Sequence, residues 1–294
     1  MLNFMHSYYE RLPLSSDELK FQLKQWINVQ VSRCTDEAFA LMFPWKETGL
    51  PADYFLQRQL KINGQSYLTG PRYKACNIDQ PFIDIVAFDA PITSDVLMAV
   101  SKEWADMCPK YIRILVPEHC PPQGITDQLI YAFPISVGSK FLKDPGIYLD
   151  TASIADLDWC QNTFSEAYQS AWKTIPALRE HLLSVDEEVL INQISDGSVY
   201  IILEGSSRAG IIICEKQMEA FLHSFLITGE VILPTFQGRS LASKAQRALC
   251  QTFFPYSTKD SLLMGTIVPE NLPSIRAAER AGRKCVLRYE FLTV

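Results

Sequence analysis

The stretch GEVILPTFQGRSLASKAQRAL, residues 229–249, constrains what this chain can fold into more than any other. An apolar run stops at Pro234, a short polar turn follows, and a helical pattern opens at Ser240 and runs to Phe253. Leu241, Ala245, Ala248, Leu249 and Thr252 share one side of that helix, while Lys244, Arg247 and Gln251 point away. A strand that enters a helix through Gln237-Gly238-Arg239-Ser240-Leu241-Ala242 leaves the first helical N–H groups without internal partners. They sit at the positive end of the helix dipole. Gly238 permits close backbone approach, and the small Ser240 and Ala242 leave room beside the turn. A pyrophosphate fits such a turn, taking N–H bonds and a charge-assisted contact from Arg239. An ordinary strand-to-helix turn capped by Ser240 fits the same residues.

The surrounding pattern is mixed. Upstream, a short strand at 147–149 leads into helices over 157–183, then a hairpin of strands at 199–203 and 210–214 around Gly205-Ser206-Ser207, then an extended run at 223–233. Downstream, 262–268 reads as an apolar strand. Asn271, Pro273 and Gly282 punctuate a helix over 272–281 as N-cap, first-turn proline and terminating glycine. A final strand covers 285–294. Strands alternating with helices at this spacing predict an α/β (α+β) layer rather than a bundle or an all-β sandwich.

The first half begins with helical pattern to about residue 35, a short helix at 36–43 and a third at 52–60. Extended runs at 65–75 and 81–88, a helix at 92–107 and strands at 112–116 and 129–137 follow. Turn residues at Gly138-Ser139-Lys140 mark a boundary, giving domains of 1–143 and 144–294.

Composition narrows the function classes. The formal charge of −6 disfavours general nucleic-acid binding. Between Phe236 and Glu290, however, nine basic residues stand against four acidic ones. That local excess suits a phosphorylated small molecule, or simply a solvated face. The eight cysteines never form C-x-x-C and read as reduced, and the four histidines do not cluster, so no metal site is expected. The opening MLNFMHSYYERLPL lacks a basic region followed by an apolar core, and no apolar run reaches membrane-spanning length, so a cytoplasmic protein with no membrane partner is expected. Neither a P-loop nor a dinucleotide glycine signature is present.

Residues 237–242 resemble the acetyl-coenzyme A signature of the GNAT superfamily, Gln/Arg-x-x-Gly-x-Gly/Ala after the family's fourth strand. Gln237 and Ala242 match, and Ser240 stands where the central glycine falls. Residues 266–283 resemble the family's later asparagine-to-glycine helix through Asn271 and Gly282. Residues 148–164 resemble its opening strand and helix, so the likeness covers about 146–294. The resemblance implies a mixed central sheet flanked by helices. It also implies an acyl-coenzyme A cosubstrate and direct acyl transfer to a primary amine on a small molecule or peptide. The cofactor residues it implies are Ile232, Leu233, Gln237, Gly238, Arg239, Ser240, Leu241, Ala242 and Asn271. Glu230 is the implied base, and Tyr289 a reserve donor to the leaving thiol, because the family's usual tyrosine position holds Ala278. The first half is similar in order to a degenerate, non-catalytic copy. A fold retained for binding or regulation without turnover is the alternative reading.

Overall fold

The computed structural model describes residues 1–141 and 146–293. The chain divides into two compact units. One takes Met1–Gln128, Ala220–Leu222 and the chain from Val286 onward, and the other takes Leu129–Glu219 and His223–Cys285. The expected boundary at 143/144 lies outside the described residues.

The first unit opens with α1 (Leu2–Tyr8) and α2 (Ser16–Ser32), the latter started by the Ser15 hydroxyl accepting the Glu18 N–H. Asp36 caps α3 (Glu37–Leu41) by accepting from Ala38 and Phe39, and α4 (Trp45–Thr48) stops at Gly49, where φ is 73°. The helix expected over 52–60 does not form. A single 3-10 turn at Ala52–Phe55 gives way to β1 (Arg58–Ile62), which pairs antiparallel with β2 (Gln65–Tyr73). The two-residue connection is Asn63-Gly64, both at positive φ, and that hairpin chemistry outweighs the helical spacing before it. β3 (Pro81–Phe88) lies antiparallel to β2, and α5 (Ser94–Glu103) crosses over to β4 (Tyr111–Pro117), parallel to β3.

The second unit takes up β5 (Ile125–Pro134) at Leu129. The strand expected over 129–137 ends early, because residues 135–138 turn into α6 (Ile135–Gly138). There follow β6 (Ile147–Thr151), α7 (Leu157–Thr174) and α8 (Glu187–Ser195). Pro176 cuts the expected 157–183 helical run. The unanticipated α8 is started by the Asp186 carboxylate accepting the Val189 N–H at 3.0 Å. β7 (Val199–Glu204) and β8 (Ser207–Glu219) form the anticipated hairpin, followed by β9 (Leu222–Ile232), α9 (Leu241–Phe253), β10 (Leu262–Ile267) and α10 (Leu272–Ala281). Their sheet runs β6-β7-β8-β9-β10-β5.

Helices cover both faces of this sheet. On one face Ala245, Leu249, Cys250 and Phe253 of α9 pack onto Ile212, Phe225 and Leu263. On the other, Cys160, Phe164 and Ala167 of α7 pack onto Ile201, Ile211, Ile213 and Val231. The buried side of α9 is rotated from the expected one: Gln246 and Ser243 are buried, while Thr252 is exposed. The last strand, β11 (Lys284–Thr293), leaves the second unit after Cys285 and pairs antiparallel with β4 from Leu287 to Thr293.

Candidate active site where two strands part

β9 and β10 are parallel neighbours, yet their ladder holds only Leu263↔Phe225 and Met264↔Leu226. β9 continues to Ile232 and β10 to Ile267 with no further paired residues between them, while β10 stays fully paired to β5 from Leu262 to Ile267. The alternation of β9 also slips at Thr228. Phe225 and Ile227 pack with the α9 face. Gly229 instead lies against Ile213 and Phe164 of the α7 face, with Val231 beside it in that cluster, and Ile232 returns to the α9 face. An extra residue in one strand bends it and breaks its ladder. The strands therefore part beyond Leu226 and Met264.

The strand β9 then reaches α9 through the turn singled out in the sequence. Gly238 has φ 80° and Ser240 φ 59°, so the residue in the family's glycine position adopts the conformation that favours glycine. Left-handed residues in a turn are one ingredient of backbone concavities that attract anions. Ser240 is the N-cap residue of α9, but its side chain caps nothing; it accepts instead from Arg280 Nη1 at 3.4 Å. Arg280 was not anticipated, since its place 40 residues further along the chain gives no local signal. We expect Ser240→Gly to stabilise the fold by about 1 kcal/mol, read from urea unfolding, because the αL penalty disappears.

Other anticipated residues in this turn are already engaged. Arg239 pairs with Glu204 at 2.7 Å and also donates to Thr235 O. The Gln237 amide donates to the Ile232 carbonyl at 3.2 Å. Leu233 gives its N–H to Ala209 O and its carbonyl to Phe236 N. Asn271 caps α10, its side chain accepting the Ser274 N–H at 3.2 Å. Leu241 is buried as the first residue of α9, and Ala242 follows it at the helix start.

Glu230 is the most informative placement. Its Oε2 accepts from Gln246 Nε2 of α9 at 2.7 Å, and Gln246 Oε1 accepts in turn from Arg283 Nε at 3.1 Å. Gln246 is 0% exposed and Arg283 3%. Burial pushes the Glu230 carboxyl above the ordinary carboxylate range, opposed by the Arg283 charge and the Gln246 hydrogen bond. Glu230 Oε1 and Arg283 Nη1 are both buried and have no hydrogen-bond partner among the described residues. Neither Gln246 nor Arg283 was anticipated. Gln246 was hidden by the apparent orientation of the α9 face, and Arg283 by its position after a helix-ending glycine.

The second donor candidate, Tyr289, lies in the first unit on β11, with the Arg113 guanidinium 4.3 Å above its ring. Cys250 is a core thiol whose pKa burial pushes up to about 12.

The first unit repeats the motif of parting strands. β3 and β4 pair only over Phe82↔Tyr111, Ile83↔Ile112 and Asp84↔Arg113. Past that point the N-terminal helices supply the partners: Trp26 Nε1 donates to Val86 O at 3.0 Å and the buried Tyr9 hydroxyl to Leu115 O at 2.9 Å. Asp84 is held bidentately by Arg113 at 2.6 and 2.9 Å. Backbone acceptors beyond this parting are thus taken by the chain itself.

No family model matches the chain, and no curated protein matches it. Solved structures do. The GCN5-related N-acetyltransferase from Sphaerobacter thermophilus aligns over 89% of this chain and 95% of its own, at 12% identity and a TM-score of 0.52. A GNAT-family acetyltransferase from Colwellia psychrerythraea aligns over 78% of this chain and 86% of its own, at 11% identity and a TM-score of 0.45. The first likeness shows the fold alone: this chain has a mixed α+β architecture like that of the Sphaerobacter structure. Among the described residues no helix is long and apolar enough to cross a membrane.

Proposed function

We propose that the second unit binds an acyl-coenzyme A and transfers its acyl group to a primary amine of a small molecule or peptide. The observation that carries this reading is the parting of β9 and β10 next to a helix start that no side chain caps. Free strand groups in a gap can hydrogen-bond an extended amide-bearing arm as a further strand would. The N–H groups at the start of α9, with Arg280 beside Ser240, suit the pyrophosphate. Gln237, Gly238, Arg239, Ser240, Leu241 and Ala242 form that turn, and Ile232, Leu233 and Asn271 border the arm. The residues present fit acetyl-CoA or a longer acyl-CoA as cosubstrate and call for no metal.

The amine must be neutral to attack, so a carboxylate with a raised pKa is a suited base, and Glu230 meets that description. Attack on the thioester carbonyl forms the amide and releases coenzyme A. The second reading, a fold kept for binding without turnover, is favoured by the engagement of Glu230 with Gln246 rather than with an open surface.

Titration calorimetry with coenzyme A tests the binding. Saturable heat is expected, and Arg280→Ala is expected to weaken affinity about tenfold, because a charge-assisted contact contributes roughly 1.5 kcal/mol or more. Absence of heat at millimolar ligand would remove the proposal. Thiol release across a panel of amines separates transfer from mere binding.

A further inference from the structure

Arg283 is placed by the end of α10. Gly282 at φ 105° turns the chain, with its N–H on Glu279 O and the Arg283 N–H on Ala278 O, the paired bonds of a Schellman ending. The turn sends the Arg283 side chain back beneath the sheet, where it is 3% exposed. There it lies against Gly265 of β10: a Cβ on Gly265 would stand 2.8 Å from Arg283 Nη1 and 3.4 Å from Ile227 O of β9. Gly265 and Ile227 are the first residues past the last ladder pair, Leu226 and Met264. The guanidinium therefore stands where the strands part, with Gly265 making room for it.

The groups around it are Glu230 on β9, Cys214 on β8, Cys250 on α9 and Tyr131 on β5. Of these Glu230 is the carboxylate, reached through the Gln246 amide, and Nη1 has no hydrogen-bond partner among the described residues. A buried guanidinium N–H left without an acceptor is costly, and an ordered water, an ion or a ligand atom can complete it. Ala278, on the adjoining helix and 0% exposed, offers no hydroxyl.

We propose that Arg283 is a catalytic residue that receives the departing coenzyme A sulfur. This rests on the acyl-transfer reading above. A cofactor whose pyrophosphate sits at the start of α9 and whose arm follows β9 inward presents its thioester end where the strands part. From Ile232 to Ile227 the strand covers roughly 17 Å at ~3.3 Å per residue. In the transfer step the amine lone pair attacks the thioester carbon and the C–N bond forms. The C–S bond breaks and its electron pair leaves on sulfur. Arg283 Nη1 stabilises the thiolate as a fixed cation, with no proton leaving the guanidinium. The proton lost by the amine goes to Glu230 Oε1 and afterwards to the sulfur, which resets both groups.

The test is the pH titration of the coenzyme A thiol, followed by its ultraviolet thiolate absorbance, free and bound to the full chain. Bound to the native protein, the thiol should titrate about one unit or more below free coenzyme A in the same buffer. Arg283→Gln should return it to the free value. Gly265→Ala, which keeps the charge but crowds Nη1, should move it most of the way back. An Arg283→Gln, Glu230→Gln double variant serves if the single variant does not fold, because it leaves no lone buried carboxylate. A bound thiol that titrates like free coenzyme A in the native protein overturns the role of Arg283 and leaves cofactor binding intact. A depressed value that survives all three variants does the same. Failure of the native protein to bind coenzyme A removes the acyl-transfer reading itself, and this role with it.

Discussion

Glu290→Ala is expected to destabilise the protein by about 3–5 kcal/mol, the usual cost of stranding one partner of a buried ion pair. Glu290 is 0% exposed and accepts the N–H groups of Gln123 at 2.7 Å and Gly124 at 3.1 Å. Its other oxygen accepts from Arg288 Nε. Arg288, also buried, donates onward to the carbonyls of Pro117, Glu118 and Cys120. One carboxylate thus neutralises a buried guanidinium and satisfies two loop amides, fastening residues 117–124 to β11. Nor does the site have slack for a larger residue, since a Cβ at Gly124 would stand 2.2 Å from Phe291 O. The measurement is a urea unfolding curve of the full chain. A loss under 1 kcal/mol would show that the network is not holding the first unit together. Arg288→Met with Glu290→Leu should recover a large part of the loss, because the stranded charge is then gone.

Glu230→Gln is expected to lower the rate of acyl transfer by a factor of about one hundred or more while leaving the fold intact, the usual contribution of a positioned base. The amide keeps the shape and can still bond Gln246, but it cannot take a proton. Stability separates this outcome from damage. Burial raises the Glu230 pKa in the folded state, so between its unfolded and folded values the native protein binds more protons than the unfolded chain. The stability that this provides is present at low pH and is lost as pH rises through the folded value. Glu230→Gln removes that loss but also takes away the carboxylate that opposes the burial of Arg283, so the decline of the unfolding free energy with rising pH should disappear in the variant while a cost from the stranded guanidinium appears. Full activity in the variant would sink Glu230 as the base. Lost activity with loss of the folded state itself would assign it a structural role only.

Much of the architecture was legible because its signals are local. Asn271, Pro273 and Gly282 delimit α10 as expected, Asp36 starts α3, and the turn at 205–207 joins β7 to β8. Pro234 ends the strand before α9. Local signals also misled where two competed: the helical spacing of 52–60 lost to Asn63-Gly64, whose paired positive φ values commit the chain to a hairpin. Helix α8 was missed although Asp186 caps it, because its short amphipathic run carries little periodicity.

The site divides along the same line. The turn from Gln237 to Ala242 was visible, since a strand, a glycine and a helix start are contiguous in sequence, and so was the departure from pattern at Ser240. That Ser240 takes the left-handed conformation, that Gln246 faces inward, and that Arg283 lies over Gly265 depend on packing between α9, α10 and the sheet. So does the exit of β11 to the first unit, for nothing in the alternation of residues 284–293 says which strand it will pair with. The sequence by itself determined most of the elements and the helix start at Ser240, because those follow from neighbouring residues. Only the tertiary structure decided which buried charges meet and which of their atoms are left without partners.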